Sequence, residues 1–489
     1  MGWIIAIVIG YFVIRSFSGS SNSSSTYRPS TPPKYSPPTV LNQDQKEIVI
    51  ARPKKEKRLA KYDNSIPDNL VITDEFQEAF DLMDKTRESV FITGKAGTGK
   101  STLLKYFRKK TRKNIVILAP TGIAALQVNG QTIHSFFRFP PRFIKLNTIS
   151  KNEQRSELFQ KLDTLIIDEI SMVSADIIDG IDKSLKLHRN SNLPFGGVQM
   201  VFFGDLFQLP PVVVGKELNE FYNNHFGSPY FFSANTFNNY SFKKIELQKI
   251  FRQAGDTTFI DILNQVRKNQ IHDDTLETLN ERVVPGFLPQ RDDYFVTLCT
   301  TNKVADGENA RRLEGINAKS YFYEADISSN FDTKSIPTSE VLELKEGSQV
   351  MLLKNDSGKR YVNGSIGKIK KLTDDKIIVS VNGMSIELEK AEWEQVEYKY
   401  DKETKKIEPI VTGTFSQYPL KLAWAITIHK SQGQTFDQVV IDLGNGAFAH
   451  GQTYVALSRC TSLNGIILKR NVQWTDIILD HRVVQFMES

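Results

Sequence analysis

The chain has 489 residues, of which 40% are hydrophobic, and a formal net charge of +6. This composition excludes an intrinsically disordered chain, and the length is sufficient for two or more hydrophobic cores. The two cysteines, Cys299 and Cys460, exclude a disulfide framework and a cysteine-rich metal site, and they are typical of a reducing compartment. The mild positive charge suits a polyanionic partner but does not identify one.

An uninterrupted apolar run occupies residues 2–14. As a helix it would span roughly 20 Å of a hydrocarbon core about 30 Å thick, and Arg15 and Phe17 would bring it nearer to spanning. The first positive charges follow the run, so the positive-inside rule keeps the bulk of the chain in the cytoplasm. We therefore predict that residues 1–17 are a transmembrane anchor that tethers a cytoplasmic protein to the inner face of a membrane. A signal peptide and a peripheral tail are the alternatives.

Residues 18–65 are predicted to be a linker. Their first part is rich in Ser, Pro and Thr, a composition that does not form a core. Their last part contains a basic cluster, residues 52–58. This cluster either contacts anionic lipid or nucleic acid or is the solvated end of the linker.

The spacing Gly94-x-x-x-x-Gly99-Lys100-Ser101 follows a strand-like run, residues 89–93, and precedes a helix-like run. This order is typical of a phosphate-binding loop (P-loop), whose backbone N–H groups close around a nucleotide. We predict that Lys100 reaches the β- and γ-phosphates and that the Ser101 hydroxyl is a ligand of Mg²⁺. The predicted nucleotide contacts of this loop are Gly94, Lys95, Ala96, Gly97, Thr98, Gly99, Lys100, Ser101 and Thr102.

From about residue 66 onward, short β-branched runs alternate with helical patterns. This alternation predicts a parallel sheet with helices on both faces, in which ligands bind beyond the carboxyl ends of the strands. Asp168 and Glu169 follow one such run. We predict that Asp168 holds Mg²⁺, directly or through water, and that Glu169 accepts a proton from the attacking water. Gln208 follows another run and either contacts the γ-phosphate or belongs to a turn stiffened by two prolines.

Two arginines in the C-terminal half are candidates for neutralising charge that develops on the γ-phosphate. Arg252 follows a strand-like run, and Arg459 lies near the end of the chain. Either is suited to act as an arginine finger, although most arginines are surface residues. Between them, His429 and Ser431 belong to a block of hydroxyl, imidazole and amide side chains that are suited to bind phosphate oxygens. The alternative for His429 is a structural role.

In this order, the motifs resemble those of the superfamily 1 helicases and, more narrowly, the petite-integration-frequency (PIF) family, which is related to the RecD helicases. The family-specific element is residues 193–212, in which Pro-Phe-Gly-Gly precedes the strand that leads to Gln208. The resemblance extends from about residue 66 to the C-terminus. It implies an α/β fold of two RecA-like P-loop domains, residues 66–240 and 241–489. It also implies ATP and Mg²⁺ as cofactors and single-stranded DNA lying across both domains.

The resemblance further implies roles for individual residues. Gln77 falls where the family reads adenine. The residues on ATPase positions are Lys100, Ser101, Asp168, Glu169, Gln208, Arg252 and Arg459. The residues in blocks that hold the DNA strand are Pro120, Thr121, Gly122, His134, His429 and Ser431. Phe136, with Phe137 and Phe139, is predicted to stack on bases or to form part of a wedge at about residues 136–160; core packing is the alternative.

Short strands and Asn-Gly turns dominate between about residues 342 and 414. They resemble the small Src-homology-3-like β-barrel that the family inserts in its second RecA-like domain. Two features depart from the family pattern. Ser174 stands where many members have arginine, and the apolar N-terminus is not part of the pattern.

The leading prediction is an ATP-dependent DNA helicase that acts as a monomer and moves 5′ to 3′ on single-stranded DNA. The resemblance implies unwinding of forked duplexes and of G-quadruplexes, in DNA repair, recombination or telomere maintenance. One alternative is a membrane-tethered P-loop ATPase that acts on RNA or protein. Another is a DNA-binding scaffold without turnover, which the intact Lys100, Asp168 and Glu169 disfavour.

Overall fold

The computed structural model describes residues 58–60, 66, 70–251, 255–287, 289, 293–328, 330–356 and 358–489. The predicted anchor, residues 1–17, lies outside the described residues, as does the predicted linker apart from residues 58–60. The predicted finger Arg252 also lies outside them. Within the described ranges, every helix is too short or too polar to cross a membrane.

A parallel sheet organises the first half of the described chain. Its strands are β1 (Val90–Gly94), β2 (Ile115–Ala119), β3 (Gln131–Thr132), β4 (Thr164–Ile167), β5 (Gln199–Phe203) and β6 (Lys243–Leu247). They lie in the spatial order β3-β2-β4-β5-β1-β6. The accompanying helices are α1 (Asp74–Lys85), α2 (Lys100–Lys110), α3 (Gly122–Gln127), α4 (Ile133–Phe137), α5 (Glu153–Lys161), α6 (Ala175–Arg189) and α7 (Lys216–Phe226). We call this sheet and its helices the first lobe.

Core packing covers both faces of this sheet. Phe91 of β1 packs into the cluster on one face, and its neighbours Val90 and Ile92 pack into the cluster on the other face. Side chains of successive strand residues point to opposite faces, so a strand that is covered on both faces has no polar side. This explains the continuous apolar runs in the sequence and confirms the predicted α/β class with a parallel sheet.

The second half contains a second parallel sheet and a β-rich stretch. Its helices are α8 (Thr257–Lys268), α9 (Asp273–Asn280), α10 (Asn302–Glu314), α11 (Gln452–Leu457) and α12 (His481–Glu488). Its strands are β7 (Val296–Cys299), β8 (Ser320–Glu324), β9 (Asp326–Ile327), β10 (Val341–Lys345), β11 (Gln349–Leu352), β12 (Ile366–Leu372), β13 (Ile377–Val381), β14 (Met384–Leu388), β15 (Ala391–Asp401), β16 (Lys406–Gln417), β17 (Leu420–Leu422), β18 (Ala425–Thr427), β19 (Val439–Asp442) and β20 (Ile466–Leu468).

The second parallel sheet has the strand order β18-β7-β19-β20. We call this sheet and its helices the second lobe. Two elements do not follow the predicted division at residue 240. β6 pairs with β1 in the first sheet, and the C-terminal helix α12 returns to the first lobe, where Phe486 stacks on Phe232 with ring centroids 4.3 Å apart.

The strands of the β-rich stretch pair antiparallel and run from β8 to β17, which is wider than the predicted 342–414. They are divided among three sheets, with the orders β10-β8, β14-β13-β12-β11-β17 and β15-β16-β9. A single closed barrel is therefore not confirmed. The Asn382-Gly383 turn joins β13 and β14 with φ of 49° and 79°, the positive values that a tight hairpin of this type requires.

The aromatic residues that follow His134 belong to the core of the first lobe. Phe136 has 0% exposure, and its ring lies 5.3 Å from that of Phe159. Phe137 stacks on Phe139 at 5.2 Å, and the guanidinium of Arg155 lies 4.9 Å from the Phe136 ring. A fully buried ring offers no face to a base, so core packing replaces base stacking as the role of Phe136.

This placement predicts a stability effect for Phe136→Ala. Removing a buried phenyl ring leaves a cavity and is expected to lower the free energy of unfolding by about 3–5 kcal/mol, measured by chemical denaturation. Phe322→Ala is the matched control, because Phe322 is 62% exposed on β8 and its loss leaves no cavity. Equal stability of the two variants would contradict the assignment of Phe136 to the core.

Candidate nucleotide-binding site

A cleft of about 690 Å³ opens at the carboxyl ends of the first-lobe strands. Its lining comes from both lobes and comprises Leu70, Val71, Phe76, Ala96, Gly97, Thr98, Gly99, Lys100, Ser101, Thr102, Glu169, Gln208, Phe251, Gly433, Thr435 and Arg459. The P-loop, Glu169 and Gln208 follow β1, β4 and β5, as expected where parallel strands end at one edge of a sheet. The second lobe contributes Gly433, Thr435 and Arg459.

The P-loop leads directly into α2. Gly99 is the N-cap of this helix and has φ of 92°, a left-handed conformation that favours glycine. The free backbone N–H groups of the first helical turn therefore face the cleft, and with the positive end of the helix dipole they favour an anion.

Lys100 is held by its own loop. Its Nζ donates to the carbonyl oxygens of Gly94 at 2.6 Å and Lys95 at 3.1 Å. Burial lowers the pKa of Lys100 below its ordinary value, while the carboxylates of Asp205 and Glu169 oppose that shift. Phosphate oxygens that enter the loop would supply negative charge next to the ammonium group and so stabilise its charged form.

Glu169 and Asp168 sit together at the end of β4. Glu169 has φ of 52°, and such backbone strain in a residue other than glycine is common at functional sites. Burial raises the pKa of Glu169, and Lys100 and Arg459 oppose the increase. Burial, followed by the charge of Glu169, raises the pKa of Asp168 to about 7.

The donor set fits Mg²⁺ held jointly with a nucleotide. Groups of three or more His, Cys, Asp or Glu that could hold a metal are absent from the described ranges. Mg²⁺ at nucleotide sites does not need such a group, because it takes one or two protein oxygens and completes its shell with phosphates and water. The exposed Ser101 and the carboxylate of Asp168 are oxygen donors of this kind.

Arg459 is buried next to the cleft, with 1% exposure. Its Nε donates to Val455 O at 3.0 Å, and its Nη1 donates to Ser431 O at 3.4 Å. Both of these bonds are to backbone carbonyls, and the positive charge of Arg459 opposes the rise that burial causes in the pKa of Glu169. A buried guanidinium in this position is suited to stabilise negative charge on a phosphate.

Gln208 belongs to a loop of the first lobe that is bonded to the second lobe. Its amide donates to Asp205 Oδ2 at 3.3 Å, and Asp205 forms a buried ion pair with Arg267 of α8 at 3.0 Å. The guanidinium of Arg267 also lies 4.0 Å from the centre of the Phe207 ring. The sequence did not single out Asp205 or Arg267, because no local pattern indicates that they meet.

The cleft also has an apolar part that the sequence did not predict. Phe251 is 45% exposed there, and its backbone N–H donates to Gly97 O at 3.0 Å. Its ring, with Phe76 and Leu70, offers an apolar surface suited to a flat base. The available signal was an aromatic residue directly before Arg252. Gln77, predicted to read adenine, does not line the cleft: it is exposed and donates to Asp81 Oδ1 at 2.8 Å.

The two blocks predicted to hold DNA approach each other across the lobes. A Cβ added at Gly433 would lie 3.8 Å from Gln127 Oε1 of α3. At the start of α3, Thr121 is exposed and accepts from Ala124 N at 3.2 Å, and Pro120 is partly exposed. Gly122 lies beneath Ser335, whose Oγ would be 2.1 Å from an added Cβ.

The histidines of these blocks are partly buried, whereas Ser431 is inaccessible. Burial lowers the pKa of both His134 and His429, so both rings are neutral at neutral pH. Ser431 has 0% exposure, and its hydroxyl donates to Ile428 O at 2.7 Å. The structure thus leaves His134 and His429 available for contact with a strand but not the Ser431 side chain.

Comparisons with known proteins agree with this geometry. Residues 71–277 match the model of the PIF1-like helicase family. The chain is 36% identical over 403 residues to the human ATP-dependent DNA helicase PIF1, covering 78% of this chain and 58% of the human protein. It is 33% identical over 432 residues to the ATP-dependent DNA helicase Pif1 of Bdellovibrio bacteriovorus, covering 86% of this chain and 92% of that protein.

Solved structures of a Bacteroides sp Pif1 are similar as well. The complex with ADP-AlF4 has a TM-score of 0.79 at 39% identity and covers 86% of this chain and 97% of that one. The structure bound to single-stranded DNA has a TM-score of 0.62 at 40% identity and the same coverage.

The contact between α11 and the loop after β5 predicts an effect of Gly451→Ala. Gly451 has φ of 69°, and an added Cβ would lie 2.3 Å from Phe207 O and 2.6 Å from Gln208 O. The collision separates Arg459 from Gln208, so we expect the rate of ATP hydrolysis to fall by about tenfold or more. Steady-state hydrolysis measures it.

Gly444→Ala is the matched control for this prediction. Gly444 also has a positive φ, of 55°, but an added Cβ would meet no heavy atom within 4 Å. The two variants therefore share the backbone strain and differ in the collision. Equal hydrolysis rates would show that the close approach of α11 to the loop does not matter for turnover.

Proposed function

The chain belongs to the PIF1-like helicase family, and we propose that it is an ATP-dependent DNA helicase that moves 5′ to 3′ along single-stranded DNA. One observation carries the proposal: a single cleft receives the P-loop from the first lobe and Arg459 from the second. Such a site lets a nucleotide control how the two lobes sit against each other. Relatives named ATP-dependent DNA helicases and a Bacteroides Pif1 solved with single-stranded DNA support the substrate class.

In the proposed reaction, the first lobe binds the nucleotide and activates the attacking water. The backbone N–H groups at the start of α2 and Lys100 hold the phosphates, and Ser101 and Asp168 would hold Mg²⁺. When bound, Mg²⁺ supplies positive charge that offsets the charge of the β- and γ-phosphate oxygens. Glu169 accepts the proton of the attacking water, a role that Lys100 and Arg459 favour because both stabilise its carboxylate.

The second lobe completes the site. Arg459, which lines the cleft, is the proposed finger that stabilises the charge of the transferred phosphoryl group, and Arg252 is the second candidate. Gln208 orients the water or the γ-phosphate from the opposite side of the cleft. Because Arg459 moves with the second lobe, hydrolysis is fast only when the lobes are closed.

The proposed DNA contacts are Pro120, Thr121, Gly122, His134 and His429. Their donors and acceptors are neutral and include backbone groups, so they are suited to hold a phosphate and sugar backbone without reading its sequence. Phe136 and the Ser431 side chain are not included, because both are buried. Forked duplexes and G-quadruplexes are the proposed substrates, in DNA repair, recombination or telomere maintenance.

We further propose that the first RecA-like domain ends after β6 and that the second begins near α8. The antiparallel sheets from β8 to β17 then form the inserted β-rich module of the second domain. Two of these sheets share a core that includes Val350, Ile377 and Leu420, which supports a module that folds around its own apolar centre. The third sheet packs in a separate cluster around Phe415.

The base assignment predicts the behaviour of Glu169→Gln. An amide cannot take the proton of water, so ATP turnover is expected to fall by about 100-fold or more while nucleotide and DNA affinity remain. Steady-state hydrolysis and fluorescence anisotropy measure the two properties. Glu88→Gln serves as the control, since Glu88 forms an exposed ion pair with Lys243 at 3.0 Å. Vigorous turnover by Glu169→Gln would refute the assigned base.

The substrate class predicts which polymer stimulates hydrolysis. We expect single-stranded DNA to accelerate ATP hydrolysis by residues 18–489 several-fold, and single-stranded RNA of the same sequence to do so less. Stimulation by RNA alone would favour the RNA-acting alternative. Hydrolysis that ignores both polymers would contradict the helicase assignment and leave the ATPase assignment standing.

A further inference from the structure

The hydroxyl of Tyr454 lies between two groups of the opposite lobe. Tyr454 belongs to α11 of the second lobe and is buried. Its hydroxyl accepts a hydrogen bond from the P-loop N–H of Ala96 at 3.2 Å and donates to Asp205 Oδ2 at 3.5 Å. Packing alone explains a phenyl ring at this position, but it does not explain a hydroxyl with both partners in the first lobe.

The carboxylate that receives this hydroxyl is fixed. Asp205 is paired with Arg267, and the two side chains have exposures of 0% and 3%. Burial alone would raise the pKa of Asp205, but Arg267 and Lys100 hold it below its ordinary value. Burial and Asp205 raise the pKa of Tyr454 to about 12, so the phenol keeps the proton that it donates. The chain of contacts from Ala96 to Arg267 is therefore complete.

The candidate arginine finger, Arg459, closely follows the helix that contains Tyr454. Arg459 follows Tyr454 on the turn that ends α11, and its Nε is bonded to Val455 O at 3.0 Å. A movement of the second lobe thus displaces the Arg459 guanidinium and the Tyr454 hydroxyl together. In this structure the Ala96 N–H bonds to Tyr454 while Arg459 lines the cleft.

We propose that Tyr454 is a positioning residue that sets the P-loop backbone for hydrolysis, with Asp205 and Arg267 holding its hydroxyl in place. This inference deepens the proposed function and rests on ATP hydrolysis at the cleft. It assigns to Tyr454 an effect on the rate of the chemical step rather than on the affinity for ATP, because Ala96 N–H is occupied by the phenol and not offered to a phosphate.

Tyr454→Phe tests the proposal, with Tyr222→Phe as the matched control. Tyr222 is also a buried tyrosine that donates to a carboxylate, Asp176 Oδ1 at 2.7 Å, but this carboxylate belongs to α6 and not to a loop at the cleft. For Tyr454→Phe we expect kcat to fall about tenfold with single-stranded DNA present, KM for ATP to change less than about threefold, and Tm to match that of Tyr222→Phe. For Tyr222→Phe we expect wild-type kcat and KM.

A kcat of Tyr454→Phe within twofold of wild type would overturn the proposal. So would a loss of kcat accompanied by an equal rise in KM or by a Tm far below that of the control, since either pattern indicates a structural role. If Tyr454→Phe does not fold, Arg267→Lys decides, because it keeps the positive charge but loses the Nη2 donor that bonds to Asp205 Oδ1 at 3.0 Å. Wild-type kcat in that variant would overturn the proposal. If single-stranded DNA does not stimulate ATP hydrolysis by the wild-type protein, the proposed function is refuted. The ratio of variant kcat to wild-type kcat would still test the role of Tyr454.

Discussion

The buried ion pair between Arg267 and Asp205 is the interaction on which the nucleotide cleft depends. It joins a helix of the second lobe to the loop after β5 of the first lobe across 3.0 Å, with both side chains almost fully buried. A buried charge that loses its partner costs several kcal/mol, so the closed arrangement of the lobes is favoured where these charges meet. Gln208 and Tyr454 both bond to the same carboxylate. The position of this one carboxylate therefore constrains Gln208, which lines the cleft, and Tyr454, which bonds to the P-loop backbone.

Much of the site was predictable because its parts are local. The P-loop spacing, the Asp168-Glu169 pair and Gln208 each follow a short apolar run, and parallel strands bring such loops to one edge of a sheet. The partners Arg267 and Tyr454 were not predictable in this way. They lie 62 and 249 residues from Asp205, and a contact between distant residues leaves no periodic pattern in the sequence.

The incorrect or incomplete predictions have a common physical origin. The sequence alone does not distinguish an apolar residue that faces a ligand from one that faces the core. In the folded chain, Phe136 is buried in the core. Likewise, β6 has the composition of either domain, and only its pairing with β1 assigns it to the first sheet. Asn-Gly pairs in the sequence predict hairpin turns such as Asn382-Gly383. They carry no information about how the hairpins are divided among sheets.

A short segment of the second lobe, residues 427–435, connects the block that we propose holds DNA with the candidate nucleotide cleft. His429 lies in the block, and Gly433 and Thr435 line the cleft. Between them, Ser431 O accepts from Arg459 Nη1 at 3.4 Å. If Arg459 follows the γ-phosphate, it pulls on the backbone from which His429 extends. Under the proposed function, hydrolysis and the release of the DNA strand are then linked through one stretch of main chain, which explains how neutral groups that ignore base sequence can still grip and release in step with ATP.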